Sequence, residues 1–447
     1  MLRDVPHILL VNPWIHDFAA YDFWAKPLGL LQLAAILRQS GVAVTYIDCL
    51  DRFHPRAPQS DPLARNGRGP YLKTRIETPP GLVDVARNFS RYGIRKEWLE
   101  EDLSILRPPD LILVTSLMTY WYTGVAETVR LLKGVFPETP LILGGIYASL
   151  CREHAATVPG VDRVVAGPGE EEIAALVAEF TGYPVSSGWQ TGNMDSLPYP
   201  AFDLQTRIGY VPVITSKGCP FSCAYCASSF LNPVHARRQP ESVLMELIHW
   251  HRNHRVDDFV FYDDALLVGA GRHIVPLLES VIRSDLRVRF HTPNALHVRE
   301  INDETAVLMH RAGFKTIRLG LESAEFSKQW DLDEKLTEAE FQRAIRCLRS
   351  AGFRKEQIGA YLLAGLPGQQ LEAVLRSIRI VADTGVTPII AYYSPIPHTP
   401  LWDRAVASSR YDLAADPIFT NNAISPCQEE PFSWSTISKL KQWAGGK

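Results

Sequence analysis

Three cysteines fall within eight residues in "SKGCPFSCAYCASSF", residues 216–230: Cys219, Cys223 and Cys226. The chain has seven cysteines in 447 residues, and the other four, Cys49, Cys151, Cys347 and Cys427, are scattered and form no pair. Thiolates bind soft metals and iron–sulfur clusters. Zinc sites usually draw on two knuckles, and no second Cys/His knuckle accompanies this one; His235 is the nearest candidate fourth ligand. Three thiolates on one loop, spaced C-x3-C-x2-C, suit a [4Fe–4S] cluster whose fourth iron stays open to another molecule. Two alternatives stand beside this: a zinc-stapled scaffold or binding module without catalysis, and three cysteines that are simply packed.

The bulk properties narrow the setting. A formal net charge of −3 gives no electrostatic case for nucleic acid or an anionic membrane. The apolar run in "MLRDVPHILLVNPW" is too short for a signal peptide's core, and no stretch approaches the roughly 20 apolar residues of a membrane span. A cytoplasmic protein is expected, and a reducing compartment favours metal or catalytic thiols over disulfides.

The cysteines follow "YVPVITS", which has strand character, and five further strand–helix units come after: "DFVFYDD", "VRFHTPN", "KTIRLGLES", "IGAYLLAGLPGQ" and "IIAYYSPI". Six units in a row point to an open (β/α)6 barrel over residues 205–400, although the spacing also suits a flat parallel sheet. Barrel sites are built where strands end. Those ends carry Asp263 and Asp264, then His291 and Asn294, then Glu322 and Ser323, then Gly365 and Gly368. A carboxylate here suits an ammonium group, but an aspartate also caps a helix. His291 is as well explained as a packed residue, and the glycines as a tight turn needing positive φ.

Upstream, residues 1–190 alternate in the same way: "HILLVNP", "VAVTYIDCLD", "DLILVTSLM", "PLILGGIYAS" and "DRVVAGPGEEEIAALVAEF". This predicts a doubly wound, Rossmann-like domain with a parallel sheet. Its ligand edge includes Gly144, Gly145, Gly167 and Gly169, where backbone can approach a flat ligand closely. The segment 52–80 lacks any period and is expected as a surface insertion. A Gly/Ser/Pro-rich linker, "SSGWQTGNMDSLPYPAFDL", joins the two domains. Residues 401–447 form an irregular tail with one helix near "TISKLKQWA", and Cys427 in it is either packed or a thiol at the barrel mouth.

"CPFSCAYC" resembles the C-x3-C-x-aromatic-C signature of the radical S-adenosylmethionine (SAM) enzymes, set after the first of six βα units as in that family. The resemblance spans roughly residues 205–400. It implies that Cys219, Cys223 and Cys226 each hold one iron of a [4Fe–4S] cluster and that SAM chelates the fourth. Reductive cleavage of SAM would then give a 5′-deoxyadenosyl radical. Tyr225 would pack near the adenine, and Asp263 or Asp264 would meet the methionine ammonium. The family's second-strand motif is usually Gly-Gly-Glu, whereas this chain has Tyr-Asp-Asp, which leaves the choice of aspartate open. His291 and Asn294 would face the ribose or the methionine carboxylate.

The N-terminal region is similar to that of the cobalamin-binding radical SAM group, implying a corrin site at Gly144, Gly145, Gly167 and Gly169. The D-x-H-x2-G motif of many B12 proteins is absent, and "WIHDFAAYD" offers only His16. The group includes members that bind cobalamin without a histidine ligand. Together these features imply a cobalamin-dependent methyltransferase acting on an unactivated carbon or phosphorus centre of a small molecule or peptide. A flavodoxin- or ferredoxin-type donor would supply electrons. The alternative within the family is hydrogen abstraction with rearrangement or cyclisation and no corrin.

Overall fold

The structure is a computed structural model that describes residues 5–185, 188–190, 192–326, 336–428 and 440. It divides into two compact units, residues 1–209 with 416–418, and residues 210–415 with 419–447.

The first unit contains β1 (His7–Asn12), α1 (Leu28–Gln39), β2 (Ala43–Asp48), β3 (Leu111–Val114), α2 (Tyr122–Val135), β4 (Leu141–Leu143), β5 (Arg163–Val164) and α3 (Gly169–Thr181). The strands form a parallel sheet in the order β2-β1-β3-β4-β5. Side chains alternate across a strand, so the two faces of β1 bury different residues. Leu9 and Val11 pack with Val125, Val129 and Leu132 of α2, while Ile8 and Leu10 pack with Leu30, Ala34 and Leu37 of α1 and Ile173 and Val177 of α3. Cover on both faces explains why β1 reads as an unbroken apolar run. The strand order reverses direction between β1 and β3, which makes the carboxyl ends of those strands the ligand crevice of this fold.

The stretch between β2 and β3, which includes the insertion expected at residues 52–80, carries structure of its own. Lys73–Arg75 and Ser90–Tyr92 pair antiparallel, and Ser90–Tyr92 pairs in turn with Ile15–Asp17. Arg52 forms an ion pair with Asp22, Nε to Oδ2 at 3.2 Å, and both side chains are buried. Long-range pairing of this kind has no local periodic signature. The expected linker is also packed: Trp189, Leu197, Ala201 and Leu204 join the apolar cluster under α1 and α3.

The second unit contains β6 (Val211–Val213), α4 (Pro240–His254), β7 (Asp258–Phe261), α5 (Ile274–Arg283), β8 (Arg289–His291), β9 (Leu296–His297), α6 (Asp303–Ala312), β10 (Phe314–Glu322), α7 (Glu338–Ser350), β11 (Ile358–Ala364), α8 (Leu371–Asp383), β12 (Thr387–Tyr392) and α9 (Trp402–Ser408). All its main strands are parallel, in the order β12-β11-β10-β8-β7-β6, with the two-residue β9 added on β10. Sequential order and helical connections give the partial (β/α)6 barrel. Its wall is filled by Phe261, Phe290 and Phe314, whose ring centroids lie 5.2–5.6 Å apart. Each buried ring of this size contributes about 1.5–3 kcal/mol through lost water contact.

Helix boundaries follow local chemistry. Asn302 and Thr337 close capping boxes at the starts of α6 and α7, and Gly313 ends α6 with φ 102°. Among the described tail residues, α9 and the segment around Leu413 and Cys427 pack with Leu366 and Tyr393. The helix expected near "TISKLKQWA" lies outside the described residues, apart from Leu440.

Candidate functional site

The cysteine loop leaves β6 through a short antiparallel ladder, Ser216–Lys217 with Ala236–Arg237. Gly218 opens it with φ 78°, where an added Cβ would lie 2.7 Å from the Val234 carbonyl oxygen. Cys219, Cys223 and Cys226 are free thiols of intermediate exposure. Burial pushes the Cys219 and Cys226 thiols up, and the backbone amides of Phe221 and Ser228 pull them back. The Ser228 amide donates to Cys226 Sγ at 3.4 Å.

Among the described residues no three His, Cys, Asp or Glu side chains converge where a single ion would be held. A cubane cluster asks for something different, one thiolate per iron at separate corners. The donor set fits it: three soft thiols on one loop, two already facing backbone N–H groups of the kind that stabilise ligated sulfur. His235 pairs with none of the three cysteines by hydrogen bond.

Asp263 is the anchor of this loop. Its carboxylate is buried and accepts four hydrogen bonds: from Thr215 N (3.1 Å) and Oγ1 (2.6 Å), and from Ser216 N (2.6 Å) and Oγ (2.7 Å). Since Thr215 Oγ1 donates to Asp263, it accepts from His273 Nε2 at 2.7 Å. Burial raises the Asp263 carboxyl to about 6, held back from a higher value by these donors, so it is ionised at neutral pH. An unfolded Asp titrates near 3.8. The folded chain therefore binds this proton more tightly, and the associated stability is complete below pH 3.8 and lost as pH rises through 6. The difference amounts to about 3 kcal/mol. In urea unfolding of the metal-free protein, the stability of wild type relative to Asp263→Asn is expected to fall between pH 4 and 6 and then level off. A flat difference across that window would refute the assignment.

Asp264 has a different position. It is part-exposed and accepts from Ser228 Oγ at 2.6 Å, which ties the end of β7 to the residue two beyond Cys226. Asn294 Nδ2 donates to the Tyr262 and Asp263 carbonyls at 2.9 and 3.3 Å, so it braces the same strand end while remaining exposed. His291 lies apart. It pairs in register with Val260, below the strand end, and is fully buried. Its Nε2 meets Asp258 Oδ1 at 2.9 Å and its Nδ1 meets Thr316 Oγ1 at 3.0 Å. This is a packed residue of the barrel wall, which corrects the expectation that it faces a ribose or carboxylate.

The histidine beside the cysteines is His297, six residues on. Its Nε2 lies 3.7 Å from Cys219 Sγ, and its ring tilts against Phe221 of the loop, with centroids 4.3 Å apart. Burial pushes its pKa down to about 4. Sequence pattern offered one clue, a second histidine in "HTPNALHVRE". Choosing between the two needed the break after β8 that β9 reveals.

Glu322 ends β10 with φ 55°, an uncommon conformation for a non-glycine residue, and is buried near enough to Cys226 to raise its thiol. Ser323 Oγ accepts from Glu325 N in the following turn. Gly365, φ 95°, donates through N to Gln369 Oε1 at 2.8 Å, and Gln369 returns a bond to Leu363 O, which fixes the βα turn. Tyr225 packs with Leu366, Tyr393 and Leu401, and Leu401 N donates to Ala224 O at 2.9 Å. Cys427 is in the same cluster, 4% exposed, with its thiol pushed up to about 11 by burial and directed at Ala405 O. It is a packing residue.

In the first unit, Gly145 has φ 94°, and a Cβ there would sit 2.3 Å from Ser116 O. Ser116 Oγ donates to Gly144 O at 2.6 Å, so β3 and β4 end in one interlocked turn. Gly167, φ 102°, has no atom within 4 Å of where a Cβ would be, and its N donates to Ser149 Oγ at 2.9 Å. Gly169 begins α3 close to Leu33, where a side chain would press at 3.1 Å. Met118 and Ile146, just beyond the ends of β3 and β4, are exposed apolar side chains. Open backbone at Gly167 with apolar groups at the same edge fits a flat, largely apolar ring system such as a corrin. His16 offers no ligand to it, because its buried Nε2 meets Glu127 Oε2 at 2.8 Å.

No helix of the described residues is long and apolar enough to cross a membrane. The model of the radical SAM superfamily matches residues 213–381, and that of the B12 binding domain matches residues 101–177. An uncharacterized methyltransferase of Pyrococcus horikoshii is 24% identical over 67% of this chain and 70% of its own length. The anaerobic magnesium-protoporphyrin IX monomethyl ester cyclase of Cereibacter sphaeroides is 24% identical over 74% of this chain, which spans only 58% of the cyclase. Among solved structures, the radical SAM methyltransferase TsrM of Kitasatospora setae superposes with a TM-score of 0.66 at 17% identity, covering 91% of this chain and 77% of TsrM. The cobalamin-dependent radical enzyme OxsB superposes with a TM-score of 0.58 at 15% identity, covering 90% of this chain and 55% of OxsB. A cysteine loop at the mouth of six parallel βα units, preceded by a doubly wound unit with an open apolar edge, is thus matched in both parts: the chain carries a radical SAM superfamily domain preceded by a B12-binding domain.

Proposed function

We propose that the protein is a cobalamin-dependent radical SAM methyltransferase acting on a small molecule or peptide. The observation that carries this is the C-x3-C-x2-C loop anchored at the mouth of the partial barrel, joined in one chain to a B12-binding unit whose ligand edge is open at Gly167. When bound, the cluster and SAM supply radical chemistry and the corrin supplies a carrier for a methyl group.

The chain's own part is binding and orientation. Cys219, Cys223 and Cys226 would hold three irons, with Asp263 fixing the loop's take-off from β6 through Thr215 and Ser216. One Asp264 oxygen is used by Ser228 Oγ, and the part-exposed carboxylate would receive the ammonium of SAM. Tyr225, held in the tail's apolar cluster, and the Gly365 turn would frame the adenine and exclude water. Asn294 and Glu322 would bound the remaining side, Asn294 by bracing the strand end that carries Asp264.

Asp264→Asn is expected to weaken SAM binding about tenfold, the loss of one charge-assisted contact worth about 1.4 kcal/mol. Equilibrium dialysis with SAM on the reconstituted protein measures this, and unchanged affinity would remove Asp264 from the site. The test of the whole reading is anaerobic reconstitution followed by hydroxocobalamin, desalting and spectroscopy, then assay for methyl transfer from labelled SAM. Iron–sulfur absorbance with retained corrin supports the reading, and a colourless zinc protein would end it.

A second reading is kept by one observation: His16, the histidine in the sequence position nearest a cobalt-ligand motif, is committed to Glu127. If corrin is not retained while the cluster forms, hydrogen abstraction with cyclisation or rearrangement becomes the better account. The relationship to a cyclase points the same way.

A further inference from the structure

Cys219 meets a side chain far away in sequence. His297 Nε2 reaches Cys219 Sγ at 3.7 Å across 78 residues, within hydrogen-bond range for sulfur. The ring has little freedom to be anywhere else. Phe221 covers it at a centroid distance of 4.3 Å, and β9 pins its backbone opposite Gly320 of β10. A neutral imidazole carries a single N–H, and with that proton on Nε2 the ring faces the first cysteine as a donor.

We infer that His297 is a positioning residue for the cluster, donating a hydrogen bond from Nε2 to the ligated Cys219 sulfur and thereby raising the cluster's reduction potential. The physical reason is charge. A ligated thiolate carries no proton and has partial negative charge, which grows when the cluster accepts an electron. An N–H directed at that sulfur stabilises the reduced form more than the oxidised one. Placed at a half-buried site, the bond is worth more than it would be in water. Cys226 has its own donor in the Ser228 amide, and at Cys219 His297 adds a side-chain donor to the Phe221 amide.

The inference rests on the reading that the three cysteines hold a [4Fe–4S] cluster, and its test separates the two. Wild type, His297→Phe and His297→Gln are reconstituted anaerobically, and iron content and midpoint potential are measured by dye-mediated titration with electron paramagnetic resonance, without SAM. Phe keeps the stack on Phe221 and removes the donor, while Gln restores an N–H at similar reach. The expected result is equal iron content in all three and a more negative potential for His297→Phe. The shift corresponds to about a tenfold change in the oxidised-to-reduced ratio, about 59 mV for one electron. His297→Gln should lie close to wild type.

An unchanged potential in His297→Phe overturns the inference. Absence of a cluster in wild type overturns the underlying reading instead. If His297→Phe assembles no cluster, His297→Met replaces it as the non-donor of similar length. A more negative potential for Met than for Gln, or a cluster in Gln alone, supports the role. Equal potentials, or no cluster in either, refutes it.

Discussion

Replacing Cys223 by alanine is expected to yield a folded but nearly colourless protein that no longer cleaves SAM. Each thiolate would occupy a separate iron, so no neighbouring group can take over the vacant corner: among the described residues no third His, Cys, Asp or Glu side chain converges with another pair. Loss of an outer-shell partner typically costs 10–100-fold in metal affinity, and loss of a ligand should exceed roughly the upper end of that range. The fold should survive because Cys223 is only part-buried, whereas the anchor of the loop lies behind it in Asp263. Circular dichroism and urea unfolding of the metal-free protein check the first half. Iron content and 5′-deoxyadenosine production check the second. Sustained 5′-deoxyadenosine formation by the variant would mean that Cys223 is not a ligand.

A pair of glycine substitutions should separate fold from corrin binding in the first unit. Gly145→Ala puts a methyl group 2.3 Å from Ser116 O and 2.6 Å from Ser116 N, both backbone atoms that cannot swing aside. It also forces an L-residue to φ 94°. Overpacking of about 1–3 kcal/mol and backbone strain of about 1–2 kcal/mol combine into a loss that few domains tolerate easily. Its melting temperature should drop by roughly 10 °C, taking about 2–4 °C per kcal/mol for a unit of this size.

Gly167→Ala meets no atom within 4 Å and carries only the strain of φ 102°. It should melt within a few degrees of wild type, about 2–4 °C for each kcal/mol lost. A methyl group standing up from an edge where a corrin lies should nevertheless reduce retained cobalamin after desalting. If Gly167→Ala retains cobalamin stoichiometrically, the ring does not lie over that residue. Should Gly145→Ala melt like wild type, the interlocked turn between β3 and β4 is softer than its geometry implies.

The two aspartates show how chemistry and architecture divide between adjacent residues. As types they are interchangeable, and "FVFYDD" offers both at the end of β7. Both lie just past Phe261, the last residue of β7, and their side chains leave on different sides. One side leads Asp263 into the base of the cysteine loop, where four donors from Thr215 and Ser216 enclose it. The other leaves Asp264 half-exposed with one bond to Ser228. Stability is therefore the expected phenotype of Asp263 variants, and ligand affinity that of Asp264 variants.

What was legible in the sequence was local. The spacing of Cys219, Cys223 and Cys226 is a property of one loop, because ligands on a short segment carry their geometry with them. The alternation of strands and helices was legible for the same reason: unbroken apolar runs such as "HILLVN" are what a strand covered on both faces must look like. The absence of a D-x-H-x2-G motif is likewise readable without coordinates.

Tertiary structure alone decided which long-range partners those elements meet. The three-stranded sheet that orders part of segment 52–92 depends on pairing across some 75 residues, between Ile15–Asp17 and Ser90–Tyr92, which no local pattern announces. His291 and His297 are six residues apart and read alike as histidines near a strand end. Register with β7 buries the first against Asp258, and the break before β9 carries the second to Cys219. The sequence determined that this protein has a cluster loop on a βα scaffold. Which side chains surround that loop was settled by strand register and by the parity of the pleat, because a one-residue shift moves a side chain to the opposite face.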